Sequence, residues 1–429
     1  MLERPPQEKE WVSWTAAVLW SLLIFALVPV ARAIQTFVAE VSGPEIYTFA
    51  VIAMVVLGAA AMTVYQVRRT RIERAGLLWL LLVAAVYVLY TIFLRGAKIE
   101  AVHFILYGVL GLLLYRALTH RVRHLGIYFA AAILGAIVGT LDEALQWVTP
   151  KRSWGLQDIW IDFVGAALMQ VAIAMGLRPT IISRRLSAAS IRLVSRLAAV
   201  ALLLLGVSAL NTPPRIAWYS SQIPVLAFLQ TNESVMLEYG YRYEDPETGV
   251  FRSRLRLEDL RRADHERAEE GGRILAQYKD RERYGEFLEL YTPVSDPFLH
   301  EARVHLFRRD RFLERAEGIG ETEADTRAPP KYEHEDEFQE QMTVAYRENQ
   351  ILERYFTGVL RESGLAWSAE TLARVQAEVL PDYEYDSWVS RKVITGISEG
   401  QVLLLFVAAI VGVLAIGWIY GRERPRLAD

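Results

Sequence analysis

Long apolar runs separated by short polar joints fill the first half of the chain, and one more such run lies near its far end. A helix needs roughly 20 mostly apolar residues to cross the hydrocarbon core of a bilayer. About eight stretches meet that length: 11–33, 45–66, 76–94, 101–118, 125–148, 156–177, 193–210 and 402–420. Between the last two the pattern changes. Val235, Leu237, Tyr239, Tyr241 and Tyr243 alternate, Asp245-Pro246-Glu247-Thr248-Gly249 marks a turn, and Phe251, Leu255 and Leu257 resume the period of two, which predicts a hairpin. Residues 257–278 read as a charged helix. Helical spacing links Leu352, Tyr355, Phe356, Val359 and Leu360, then Leu372, Val375 and Val379 before Pro381. The segment 304–310 reads as a strand ending in a charged turn, and 322–337 as a polar loop. The expected fold is an all-α polytopic membrane helix bundle of about eight transmembrane helices with an inserted extracytoplasmic α+β domain. Its divisions are a seven-helix part at 1–211, the inserted domain at 212–398, and the last span with its tail at 399–429.

Charge orients this layout, because cytoplasmic loops retain arginine and lysine. Arg68, Arg69, Arg71 and Arg74 join the second and third spans; Arg116, Arg121 and Arg123 join the fourth and fifth. Arg178, Arg184, Arg185, Arg192 and Arg196 mark the connection between the sixth and seventh, and Arg422, Arg424 and Arg426 follow the last. The alternate loops hold only Arg95 and Lys98, or Lys151 and Arg152. Both termini are therefore expected in the cytoplasm of a multi-pass plasma (inner) membrane protein, with 213–399 outside. Ala31-Arg32-Ala33 resembles a signal-peptidase site, but the apolar run before it exceeds the usual length of about 7–15 residues, so an uncleaved first helix is expected.

Hydrophobic residues make up 53% of the chain and charged ones 23%, and the two are segregated rather than mixed. A net charge of −3 lacks the basic footprint of a nucleic-acid binder. The absence of cysteine excludes disulfides, thiolate metal sites and cysteine nucleophiles. No Walker-type loop or Gly-x-Ser-x-Gly elbow occurs. His300-Glu301 with His305 misses the His-Glu-x-x-His spacing by one position, and Asn232-Glu233-Ser234 is a sequon match short enough to arise by chance.

The informative residues lie at one end of three consecutive spans. Glu100, His103 and Tyr107 share a face of the fourth. Gly135, Gly139, Asp142 and Gln146 form a stripe on the fifth, with Glu143 beside it, and Asp158, Asp162 and Gly165 form one on the sixth. Thr149-Pro150-Lys151-Arg152 lies between. A charged side chain at mid-membrane costs about 2.5–3.5 kcal/mol, less near the interface, so such groups face a bundle interior or a wet cavity. The alternative is that they mark helix ends and pair with Lys98, Lys151 and Arg152.

This order of motifs resembles the VanZ-like family. A His–Tyr helix is matched by His103 and Tyr107, and Asp/Glu-Glu-x-x-Gln by Asp142, Glu143 and Gln146. Pro150 and Arg152 match the family's Pro-x-Arg loop, and Asp158, Asp162 and Gly165 its Asp-x-x-x-Asn-x-x-Gly. The resemblance covers about 98–176. It implies a membrane protein of the cell envelope, linked in the founding members to teicoplanin resistance, and it supplies no reaction. Asp162 stands where the family often has Asn, and Glu100 where a basic residue often precedes the His. Both departures make the pocket more acidic and weigh against an anion-binding role.

Three functions remain open at this stage. In the first, the pocket takes an amphiphilic or lipid-linked envelope substrate. Glu143 or Asp158 would then serve as general base, His103 as acid partner and Arg152 as a phosphate contact, with Tyr107, Asp142, Gln146 and Asp162 lining the site. No cofactor is demanded, although a divalent cation is compatible with His103, Glu143, Asp158 and Asp162, and Glu100-x-x-His103 is a spacing found in di-metal bundles. In the second, the bundle is a non-catalytic anchor for the external domain. In the third, the carboxylates carry protons or cations in a coupled transporter. Beyond the lipid bilayer and such a substrate, the sequence names no partner and no oligomeric state.

Overall fold

The structure is a computed structural model describing residues 7–42, 46–69, 74–93, 100–232, 235–318 and 335–422. The chain is mostly helical and divides into two compact units, one comprising Met1–Ser208 with Leu403–Asp429 and the other Ala209–Val402.

The first unit contains α1 (Glu10–Leu27), α2 (Ala31–Ser42), α3 (Ile46–Arg69), α4 (Arg74–Phe93), α5 (Glu100–Leu118), α6 (Gly126–Trp147), α7 (Leu156–Val171, continued by a π-helical turn Ala172–Leu177) and α8 (Ala188–Ala209). Among the described residues six helices are long and apolar enough to cross a membrane: Glu10–Leu27, Arg74–Ile92, Gly126–Trp147, Leu156–Leu177, Ala188–Ala209 and Glu399–Tyr420. Two shorter apolar helices occupy Ile52–Val64 and Val102–Leu118. Their outward faces are those of a membrane protein. Leu78, Leu81, Leu89, Leu203 and Val207 are exposed, as are Leu404, Val411 and Ile416 near the chain's end. A water-facing helix would carry polar residues on that side. The first helix stops at Leu27 rather than continuing to Ala33. Pro29 has no N–H to offer and its ring crowds the carbonyl four residues back, so the chain turns before α2 starts.

Helices α5, α6 and α7 pack closely because small residues line their contacts. A β-carbon added at Gly165 would lie 3.0 Å from the Phe104 carbonyl oxygen, and one at Gly111 would lie 3.0 Å from that of Ala166. Tyr87 of α4 donates a 2.6 Å hydrogen bond to the Gly165 carbonyl, and Gln170 donates one of 2.9 Å to that of Gly111.

The second unit opens with α9 (Pro213–Gln222). It then forms β1 (Glu238–Tyr239), β2 (Tyr241–Asp245) and β3 (Gly249–Ser253), followed by α10 (Leu257–Glu266), α11 (Ala268–Gln277), α12 (Tyr284–Leu290), α13 (Pro297–Ala316), α14 (Glu335–Tyr355), α15 (Thr357–Ser363) and α16 (Ala369–Gln376). β4 (Asp386–Trp388) and β5 (Val393–Ile394) complete it; α17 (Glu399–Tyr420) follows and from Leu403 belongs to the first unit. The expected hairpin is present only as β2–β3, antiparallel with Tyr243 opposite Phe251: β1 pairs instead with β5, and Leu257 already begins α10; β4 joins β3 in parallel. Phe251, Leu260, Leu275, Phe287, Leu299, Leu306, Ile351, Leu352 and Phe356 form the core.

Three expectations fail here. Residues 304–310 are helical, inside α13. Every residue from Phe298 to Leu306 is buried, so no helical period shows in the sequence, and Pro297 with the Asp296 side chain capping the Leu299 N–H fixes the helix start. The charged helix 257–278 is two helices that meet at Arg267, whose guanidinium forms a bidentate pair with Asp296 at 2.9 and 2.6 Å. The stripe from Leu352 to Leu360 spans α14 and α15, with the break at Phe356. The expected polar loop 322–337 falls outside the described residues up to 334, and α14 begins at Glu335.

Candidate functional site

Helix direction brings the polar residues together: α5 begins, α6 ends and α7 begins at one end of the helix trio. Within that end the carboxylates sort into two groups. Asp162 is fully buried, and its Oδ1 lies 3.0 Å from Nδ1 of His103, which retains 17% exposure. Asp142, 1% exposed, completes a cluster in which one ligand atom from each of His103, Asp142 and Asp162 lies within 4.8 Å of the others. The Tyr107 ring stacks beside His103 at a centroid distance of 6.2 Å, and its hydroxyl is buried. Gly139 makes the room: a β-carbon there would meet Asp162 Oδ2 at 2.8 Å.

The second group is built around Gln146. Its amide donates to Glu143 Oε1 at 2.5 Å and to Asp142 Oδ2 at 3.4 Å, and its carbonyl accepts from the Arg152 guanidinium at 2.5 Å. The other oxygen of Glu143 accepts the Gly155 backbone N–H at 2.7 Å. Gly155 is the N-cap of α7, so the carboxylate sits where the helix dipole favours negative charge. Asp158, half-buried in the first turn of α7, lies over Gly155, where a β-carbon would meet its Oδ2 at 2.5 Å.

The cluster that could hold a cation is thus His103, Asp142 and Asp162. Of the expected set, Glu143 and Asp158 are not in this three-residue group, and both Glu143 oxygens are engaged by Gln146 and Gly155. The Glu100 side chain and Lys98 lie outside what is described. Sequence reasoning passed over Gly155 and Trp154, the latter 8% exposed with its indole N–H buried and unpaired. Their place in the turn that leads into α7 was the available signal.

A separate polar network crosses the second unit. Buried Glu348 takes His305 Nδ1 at 2.6 Å and the Ser387 hydroxyl at 2.8 Å, and accepts from Tyr385 as well. Burial pushes the Glu348 carboxyl up, but His305, Arg308 and Tyr385 outweigh it and hold the group below its ordinary value. Glu301 accepts from the Ser253 hydroxyl at 2.6 Å and the Arg254 N–H at 2.7 Å, and Arg254 also pairs with Glu238. Burial, reinforced by the Arg254 charge, pushes the neighbouring His300 imidazole down to about 3. These contacts tie strands to α13 and α14, although His305 Nε2 is buried without a hydrogen-bond partner. His300-Glu301 and His305 are structural residues.

No known protein family, no curated protein and no solved structure matches this chain.

Proposed function

We propose that this is a VanZ-like multi-pass membrane protein of the cell envelope, with both termini cytoplasmic. In this reading the polar end of α5, α6 and α7 faces outward and binds the head group of an amphiphilic or lipid-linked envelope substrate. The observation that carries the proposal is the chain Arg152–Gln146–Glu143–Gly155, which holds a cation, an amide and a carboxylate in order beside the His103–Asp162 pair. Residues that only marked helix ends would point to the interface and pair with water. Here Asp142, Glu143, Gln146 and Asp162 are all buried, as expected of polar groups lining a pocket within a membrane bundle. Arg152 Nε is buried and without a partner, so the guanidinium retains a donor for a phosphate or carboxylate oxygen. The orientation rests on the arginine-rich segments, which lie at the opposite end of α5, α6 and α7.

The test is complementation of a strain lacking the protein, scored by an envelope phenotype such as glycopeptide susceptibility. Wild type restores the phenotype; Arg152→Ala and Glu143→Gln, at equal protein level, do not. Full complementation by both variants, with loss on removing residues 213–399, would instead favour a membrane anchor for an interaction domain. That second reading draws on the independent core and the strand-to-helix polar network of the 209–402 unit.

A further inference from the structure

We propose that His103, Asp142 and Asp162 form a seat for a divalent transition-metal ion of the Zn²⁺ type. The inference rests on reading this core as a binding site, and it adds the cofactor. Asp142 Oδ1 is buried without a hydrogen-bond partner, while Asp162 Oδ2 and the Tyr107 hydroxyl, also buried, have only each other to interact with. All three residues are at most 1% exposed. Buried polar atoms are nearly always satisfied, and an orphaned carboxylate oxygen within this cluster points to a missing ligand.

Charge points the same way. Two carboxylates from neighbouring helices share a low-dielectric site with one imidazole, while Arg152 hydrogen-bonds Gln146. A neutral imidazole, two carboxylates and a dication sum to zero.

Donor chemistry narrows the ion. Oxygen-only sets suit Mg²⁺ and Ca²⁺, whereas an imidazole with carboxylates suits Zn²⁺ and its first-row neighbours. Ligand atoms within 4.8 Å of one another surround an ion at bond lengths of about 2.0–2.2 Å after sub-ångström side-chain adjustment. Three protein ligands leave a fourth position open, as in zinc sites that receive water or a substrate oxygen. Tyr107, whose ring stacks beside His103, would support the site through its contact with Asp162.

Full-length protein purified in detergent and stripped with chelator is dialysed against Zn²⁺ alone, and bound metal is counted per chain. Wild type should retain one ion, and its thermal midpoint should rise with Zn²⁺ and fall again with chelator. Asp162→Asn, Asp142→Asn and His103→Gln should each weaken binding at least tenfold, whereas Glu143→Gln should bind as wild type does. The wild-type thermal shift stands even if a variant fails to fold. Absence of stoichiometric Zn²⁺ and of any thermal shift in wild type overturns the proposal, as does unchanged affinity in folded His103→Gln and Asp162→Asn. The two readings fail separately. A zinc-free wild type whose phenotype is lost in Arg152→Ala keeps the substrate pocket and removes the metal. One bound zinc with full complementation by Arg152→Ala and Glu143→Gln keeps the metal and removes the pocket as proposed.

Discussion

Asp162 Oδ1 lies 3.0 Å from His103 Nδ1, and this contact joins α7 to α5 across the buried end of the helix trio. Removing one member of a buried pair leaves the other without compensation, at a cost of about 3–5 kcal/mol for a fully desolvated pair. His103 keeps 17% exposure, so the lower end applies. Asp162→Ala should lower stability by about 3 kcal/mol in detergent-induced unfolding. Asp162→Asn should cost less, because its amide oxygen still accepts a hydrogen bond.

Gly139 is small because Asp162 occupies the space beside it. A β-carbon there would lie 2.8 Å from Oδ2 and 2.9 Å from Cβ of Asp162, so Gly139→Ala should destabilise by about 1–3 kcal/mol through overpacking. At Gly412 nothing lies within 4 Å, and Gly412→Ala should be neutral or slightly stabilising in the same assay.

Gln146 bridges Arg152 to Glu143 with two 2.5 Å bonds. Gln146→Ala should cost about 2 kcal/mol, since it strips a buried carboxylate of one donor and a guanidinium of its acceptor. A double-mutant cycle of Gln146→Ala with Arg152→Ala should give a coupling of about 1 kcal/mol, and strict additivity would place Arg152 outside the network.

In the second unit, burial of His300 sets the sign of that residue's contribution to stability against pH. His300 is held neutral down to about pH 3 in the fold, against an ordinary value of 6.5, chiefly by burial and then by the Arg254 charge. Below pH 6.5 the unfolded chain therefore binds the extra proton, and stability falls as pH drops towards 3. At about 1.4 kcal/mol per pH unit, His300 should contribute a loss of about 2–3 kcal/mol between pH 7.5 and 4.5. His300→Gln should flatten that part of the thermal-midpoint profile of the full-length protein.

The membrane helices are legible in the sequence because a bilayer imposes length and apolarity on each one separately, so a local window contains the signal. The hairpin at Tyr243 and Phe251 is legible for a similar reason, since alternation and a turn are local. Helix α13 is not. Continuous burial from Phe298 to Leu306, polar residues included, blurs its period, and its packing against α14 reveals it. At the site, stripes placed His103, Asp142 and Asp162 on facing helices, but i and i+1 residues look alike to a stripe argument. Whether Asp142 or Glu143 joins His103 depends on the rotation of α6, which close contacts such as Gly135 against Ala166 determine. Sequence reasoning therefore put Glu143 in the cation set where the structure brings Asp142.

The central claim is that the polar end of α5, α6 and α7 opens on the outer face, opposite the arginine-rich segments. The chain has no cysteine, so single thiols report directly. Ser153, in the loop before α7, and Arg184, in the loop before α8, are both exposed. In intact cells a membrane-impermeant maleimide should label Ser153→Cys and spare Arg184→Cys until the membrane is permeabilised. Labelling of Arg184→Cys in intact cells, with Ser153→Cys protected until permeabilisation, would contradict the account.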